Sequence, residues 1–269
     1  MDKKINFLCL LIIFLSLVLN WSFSRSLNQG KYLGLKTEEI KPVSGGIIPH
    51  HLLASHLIAD FFSRLSIQDP KKIILLGPNH NEKGNSKVLT SMSDWKTDFG
   101  NLRINKESAQ NIVELDLVGI DEEVLLEEHS ISGIVPFIKE SLPEASFLPL
   151  ILSAHMSQKE IEFLARNLSD IIDKETVVVV AVDFSHGLKI EDAYKNDLET
   201  LKFIGDFSFP RLLSLGNDYL DSPSSVVLLL AMMKNLDKTN YEVFSHTSSA
   251  ELMGNNFAET TSYFSIAFY

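Results

Sequence analysis

The stretch "KKIILLGPNHNEKG", residues 71–84, decides the fold. Residues 73–77 form an apolar or small run, bounded by Lys71 and Lys72 on one side and Pro78 on the other, which is the pattern of a short buried strand. The chain then turns through Asn79 and presents His80. A loop at the carboxyl end of a strand is where open α/β sheets hold their ligands, so the position of His80 carries weight before its chemistry does.

Working outward, further strands are predicted over 46–48, 147–152, 177–182, 241–244 and 263–268, all rich in Val, Ile and Phe. Helical patterns lie between several of them: "HLLASHLIADFFSRL", "KESAQNIVELD", "SGIVPFIKESL", "SQKEIEFLARNLSDIID" and "SPSSVVLLLAMMKNL". The fourth is the clearest, because Ser157 with Glu160 makes a capping box and Ile161, Leu164, Leu168 and Ile171 mark one apolar face. Strands alternating with helices predict an α/β fold, with a largely parallel or mixed central sheet carrying helices on both faces.

The chain has 269 residues, 45% hydrophobic and 22% charged, enough to bury a sizeable core. Its 35 acidic residues outnumber 24 basic ones for a net charge of -11, which argues against nucleic-acid backbones and anionic membrane surfaces as partners. Residues 1–25 have a different character. Lys3 and Lys4 precede an uncharged apolar run over 7–19, and a Ser22-x-Ser24 pattern follows before Arg25, the layout of a secretory signal peptide or, uncleaved, of a membrane anchor. A polar linker is predicted over 26–40, and the folded domain over 41–269. The expected location is therefore extracytoplasmic, secreted or anchored, with membrane contact only through the first segment. Cys9 is the only cysteine and lies in that segment, so a metal site in the domain must draw on histidine, carboxylate or carbonyl.

Three of the eight histidines, His50, His80 and His186, follow directly on predicted strands. Neighbouring strand ends lie about 5 Å apart, so imidazoles distant in sequence can meet there and form a preorganised site for iron, copper or zinc. Asp183 stands three residues before His186 and can ligate or fix an imidazole tautomer. His129, in "EEHS", offers an acid/base group. His56, His155 and His246 read as surface, helix or strand-end residues. Neither a phosphate-binding loop nor a Gly-x-Ser-x-Gly elbow is present.

Together, "PH" at Pro49 and His50, "GPNH" at 77–80, "EHS" at 128–130 and "DFSH" at 183–186 resemble, in family order, the Memo-like family, also called AmmeMemoRadiSam system protein B. That resemblance implies a fold related to class III LigB-type extradiol dioxygenases and a metal pocket at the sheet's carboxyl edge. It places His50, His80 and His186 on the family's pocket histidines and Asp183 on the nearby aspartate. Three positions depart from the pattern. His51, Leu52 and Leu53 replace Ala-Gly-Tyr, Ser132 stands where a glutamate is usual, and Asp221 aligns with the pocket cysteine of Memo-type members. With Asp221 the implied site is two histidines and a carboxylate, a non-haem Fe(II) pattern in which His186 or His129 is the free base. Two functions follow from the resemblance. One is a metal-binding protein holding Fe(II), or copper or zinc, with an unidentified small-molecule or peptide ligand. The other is a dioxygenase acting on a small aromatic substrate.

Overall fold

The computed structural model describes residues 41–255 and 258–269. The predicted leader and linker lie outside them. Four strands form the parallel heart of the sheet: β1 (Gly45–Ile48), β2 (Lys72–Pro78), β7 (Ser146–Leu152) and β8 (Thr176–Ala181), in spatial order β7-β2-β8-β1. Beyond β1 the sheet continues antiparallel through β10 (Ser262–Phe268) to β9 (Tyr241–Ser248). The outer edge of β7 is shared. Its start pairs in parallel with β5 (Gly100–Ile104), its end pairs antiparallel with β3 (Val88–Thr90), and β4 (Trp95–Thr97) and β6 (Val118–Ile120) extend these two.

The expected mixed sheet with helices on both faces is what forms. Helix α6 (Gln158–Ser169) packs with α9 (Pro223–Asn235), and α9 lies against β1, β2, β7 and β8. Helix α1 (Ser55–Ser66) packs with α5 (Val135–Ser141) and against β1 and β10. Gly45 and Gly46 show why two glycines sit in β1. Neighbouring strand residues face opposite ways. A side chain at Gly45 would meet Met233 of α9 at 2.8 Å, and one at Gly46 would meet Phe61 of α1 at 2.2 Å. Both helix layers therefore approach the backbone here.

Helix α6 begins at the predicted capping box, with both reciprocal bonds between Ser157 and Glu160 present. The other helices described are α2 (Lys106–Val113), α3 (Glu122–Glu127), α4 (His129–Ser132), α7 (Ile190–Gly205), α8 (Phe209–Leu212) and α10 (Ser249–Leu252). Helix α7 escapes the hydrophobic pattern for a physical reason. Its buried face is Ala193, Asp197, Thr200 and Ile204, spaced as a helix requires but half polar. Strands β3 to β6 escape it because three to five residues are too few to show alternation. Among the described residues no helix is long and apolar enough to cross a membrane.

Candidate metal centre

Register brings the site together. In the pairing of β1 with β8, Ile48 stands opposite Ala181, so His50 and Asp183 leave adjacent strands at the same height. The His50 N–H donates to Asp183 Oδ1 at 3.1 Å. His50 Nδ1 lies 3.2 Å from the Ala181 carbonyl oxygen, which can only accept, so Nδ1 carries the proton. The other nitrogen, Nε2, then faces Asp221 Oδ2 at 3.4 Å and Asp183 Oδ2 at 3.6 Å. An Nε2 lone pair set against two carboxylates is repulsive until a cation, a proton or a metal ion, comes between them.

Asp221 is carried in by the loop before α9. An isolated antiparallel bridge joins Phe184 to Leu220, and Asp221 Oδ2 accepts from the Asp183 N–H at 3.1 Å. Its other oxygen, Oδ1, is buried without a hydrogen-bond partner. Burial holds the Asp183 carboxyl above its usual range, against the pull of the His50 imidazole.

His80 arrives from β2, and Glu128 clamps it twice: Oε2 accepts from the His80 N–H at 3.0 Å, and Oε1 lies 2.8 Å from Nδ1. Glu128 also caps α4, accepting from the Ser130 N–H at 3.0 Å. The approach of α4 to β2 depends on Gly77, because a side chain there would lie 2.5 Å from Ser130 Oγ. Burial opposes charge on His80, but the carboxylates of Asp221 and Glu128 outweigh it and raise the imidazole to about 9. Burial likewise opposes charge on Glu128, and the bonds from His80 and Ser130 bring it down to about 2.

His129 is the third imidazole. Its ring stacks on His80 at 4.4 Å and meets His50 edge-on at 4.9 Å. Burial lowers its proton affinity, and a proton on either neighbouring imidazole, His50 or His80, would lower it further. Ligand atoms of His50, His80 and His129 lie within 4.8 Å of one another, as do those of His50, Asp183 and Asp221. This donor set of imidazoles and carboxylates fits a divalent transition metal.

Of the residues singled out from sequence, His50, His80, His129, Asp183 and Asp221 meet here. His186 is in neither of these groups, and His129 joins His50 and His80 instead; His186 stands near enough to Asp183 to favour its charged form. His186 lies beside the same edge, its N–H bonded to the Asn217 carbonyl and its buried Nδ1 without a partner. His51 turns away from the cluster to Tyr263, whose hydroxyl lies 2.6 Å from Nδ1. Sequence reasoning gave Glu128 no role. Its place in "EEHS", directly before His129, was the available signal, obscured by Glu122, Glu123 and Glu127 around it.

A mixed sheet whose parallel strands carry a histidine and carboxylate cluster at their carboxyl ends defines the class: an α/β protein with a candidate metal pocket. Residues 19–266 match the family model described as Memo-like protein, and the chain belongs to that family. A MEMO1 family protein of Sulfurisphaera tokodaii is 28% identical over 266 residues, covering 93% of this chain and 92% of its own. One from Methanococcus maripaludis is 25% identical over 240 residues, covering 84% of each. The crystal structure of uncharacterized protein JW3007 from Escherichia coli K12 shares the fold, with a TM-score of 0.52 at 12% identity over 82% of this chain and 98% of that one.

Proposed function

We propose that the protein is an exported, metal-binding member of the Memo-like family. Its ligands are His50, His80 and Asp221, with Asp183 beside them, and the metal is Fe(II) in the first instance, copper or zinc as competitors. One observation carries this reading: with Nδ1 committed to the Ala181 carbonyl, His50 turns Nε2 toward two carboxylates, a grouping that a cation would bridge. Such a metal supplies Lewis acidity and, as iron or copper, one-electron chemistry. The chain's own part is to hold the donors rigidly on strand ends, with Glu128 fixing the orientation of His80. Metal analysis of the full chain, purified without chelator, tests this. About one transition-metal ion per chain is expected. A chain that neither retains nor takes up Fe(II), Cu(II) or Zn(II) sinks the proposal.

A second reading, an extradiol-type dioxygenase acting on a small aromatic substrate, is favoured by His129. Its side chain is 61% exposed at the mouth of the cluster, and its lowered proton affinity suits a neutral base. His186, with its unpartnered Nδ1, is the other candidate base. Export itself rests on residues 1–25 and is tested by finding where the chain fractionates.

A further inference from the structure

A second histidine and carboxylate group lies behind the cluster. Asp197 of α7 has no exposed surface, and it accepts three hydrogen bonds: from Ser185 Oγ at 2.8 Å and Ser262 Oγ at 2.7 Å on Oδ1, and from His246 Nε2 at 2.8 Å on Oδ2. The His246 ring is stacked on Phe264 at 4.1 Å and stands 4.5 Å from the ring of Tyr194.

Serine, aspartate and histidine suggest a nucleophilic triad, but the order is wrong. A triad places the imidazole between the other two, whereas here the carboxylate is central and the fully buried Ser185 hydroxyl donates to it. No nucleophile is activated by this arrangement.

What Ser185 does is set by its neighbours. It lies between Asp183 and His186, in the segment that runs along the edge of the candidate metal centre. Backbone bonds fix that segment to Ser262 of β10 and, through the Asp183 carbonyl, to the Asp221 N–H. The Ser185 hydroxyl is the side-chain bond that ties it to α7. We propose that Asp197 is a positioning residue for the metal centre. Through Ser185 it fixes the 183–186 segment, and with it the aim of the Asp183 carboxylate and the His186 imidazole. A packing role alone would be served by an apolar side chain, without the desolvation of a buried carboxylate. His246 and Ser262 supply the remaining donors that let the charge stay buried.

The inference rests on the proposed metal function, so its test has one readout that needs no metal. Ser185→Ala, Asp197→Asn and, as a control for lost stability, Ser157→Ala in the capping box of α6 are made in the full chain. In metal-free protein the histidine ring resonances are followed by NMR. In the Co(II)-loaded protein the visible absorption bands and the affinity are followed. Ser185→Ala and Asp197→Asn are expected to move the His186 ring resonances, shift the Co(II) bands and weaken Co(II) binding about tenfold, in the range found for residues that orient metal ligands. Ser157→Ala should do none of these while lowering the melting temperature. If the first two variants lower only the melting temperature, the proposal is overturned and the group is a structural one. If Asp197→Asn does not fold, Ser185→Ala decides. If the wild type takes up no Co(II), the metal function fails, and the ring resonances alone decide the positioning.

Discussion

Two groups in this protein contain the same residue types and have opposite character. Around Asp197 every carboxylate oxygen has a donor within 2.8 Å, and the imidazole of His246 is committed to one of them. Around His50 Nε2 the nearest carboxylate oxygens stand at 3.4 and 3.6 Å, and Asp221 Oδ1 is buried with no hydrogen-bond partner. Buried polar atoms normally find partners. A saturated group can fix the segments it bonds, and an unsaturated one keeps donor capacity for a ligand. The contrast separates a group suited to positioning from a group suited to binding better than residue identity does.

The largest test of that contrast removes a donor from the unsaturated group. His80→Ala should lose most bound metal, by a hundredfold or more in affinity at the order of magnitude expected for a missing ligand, while His155→Ala should retain it. Equal metal contents, measured by mass spectrometry on both variants, would remove the basis for calling the first group a site.

The next effect separates holding metal from turnover. Under the dioxygenase reading, His129→Ala should keep its iron and lose oxygen consumption with diphenols by about 10², the contribution of general acid/base catalysis. A wild type that binds iron and consumes no oxygen with any diphenol leaves the metal-binding reading alone.

A smaller effect is carried by pH in the metal-free protein. His80 sits at about 9 when folded against an ordinary 6.5, so its contribution to stability is complete below pH 6.5 and lost as pH rises through 9. Glu128 sits at about 2 against 4.5, so its contribution is present above pH 4.5 and lost as pH falls through 2. Urea unfolding of chelator-treated protein should therefore show this pair's contribution at its greatest between those limits, declining toward pH 9. Glu128→Gln should flatten that alkaline decline and return the His80 NMR titration toward 6.5. An unchanged midpoint would mean that Glu128 does not hold the proton on His80.

The smallest effect lies outside both groups. Ser157→Ala removes one half of a capping box and should cost about 1 kcal/mol of stability in urea titration, with metal affinity unchanged. A change in affinity would show that α6 is coupled to the pocket.

Much of the fold could be read directly from the chain, because the parallel strands are continuous apolar runs and three of the four lead into a histidine or an aspartate. The site was legible to the extent that it lies on those ends: His50 and Asp183 leave β1 and β8 at the same height, and His80 leaves the adjacent β2. The choice between His129 and His186 as third imidazole was not legible. It depends on α4 settling over Gly77, a contact between residues far apart in sequence that no local pattern announces. Helix α7 was hidden for a related reason. Asp197 and Thr200 on its buried face are polar because of what they bond, and periodicity counts only what is apolar.

Strand β1 is first in chain order, yet its neighbours are β8 and β10: Gly46 lies opposite Val179 on one side and Ala267 on the other. Its first partner, β8, lies more than a hundred residues on and its second is the final strand, so until β8 has been made a chain emerging from the ribosome carries His50 on an unpaired ribbon. Closing contacts of such range is entropically costly and slow. The pocket is then among the last parts of the molecule to take shape, and under the proposed function metal would be loaded after the fold is complete rather than guide it. For a chain exported unfolded, loading would occur beyond the cytoplasm, and the ions available in that compartment would decide which metal the site acquires.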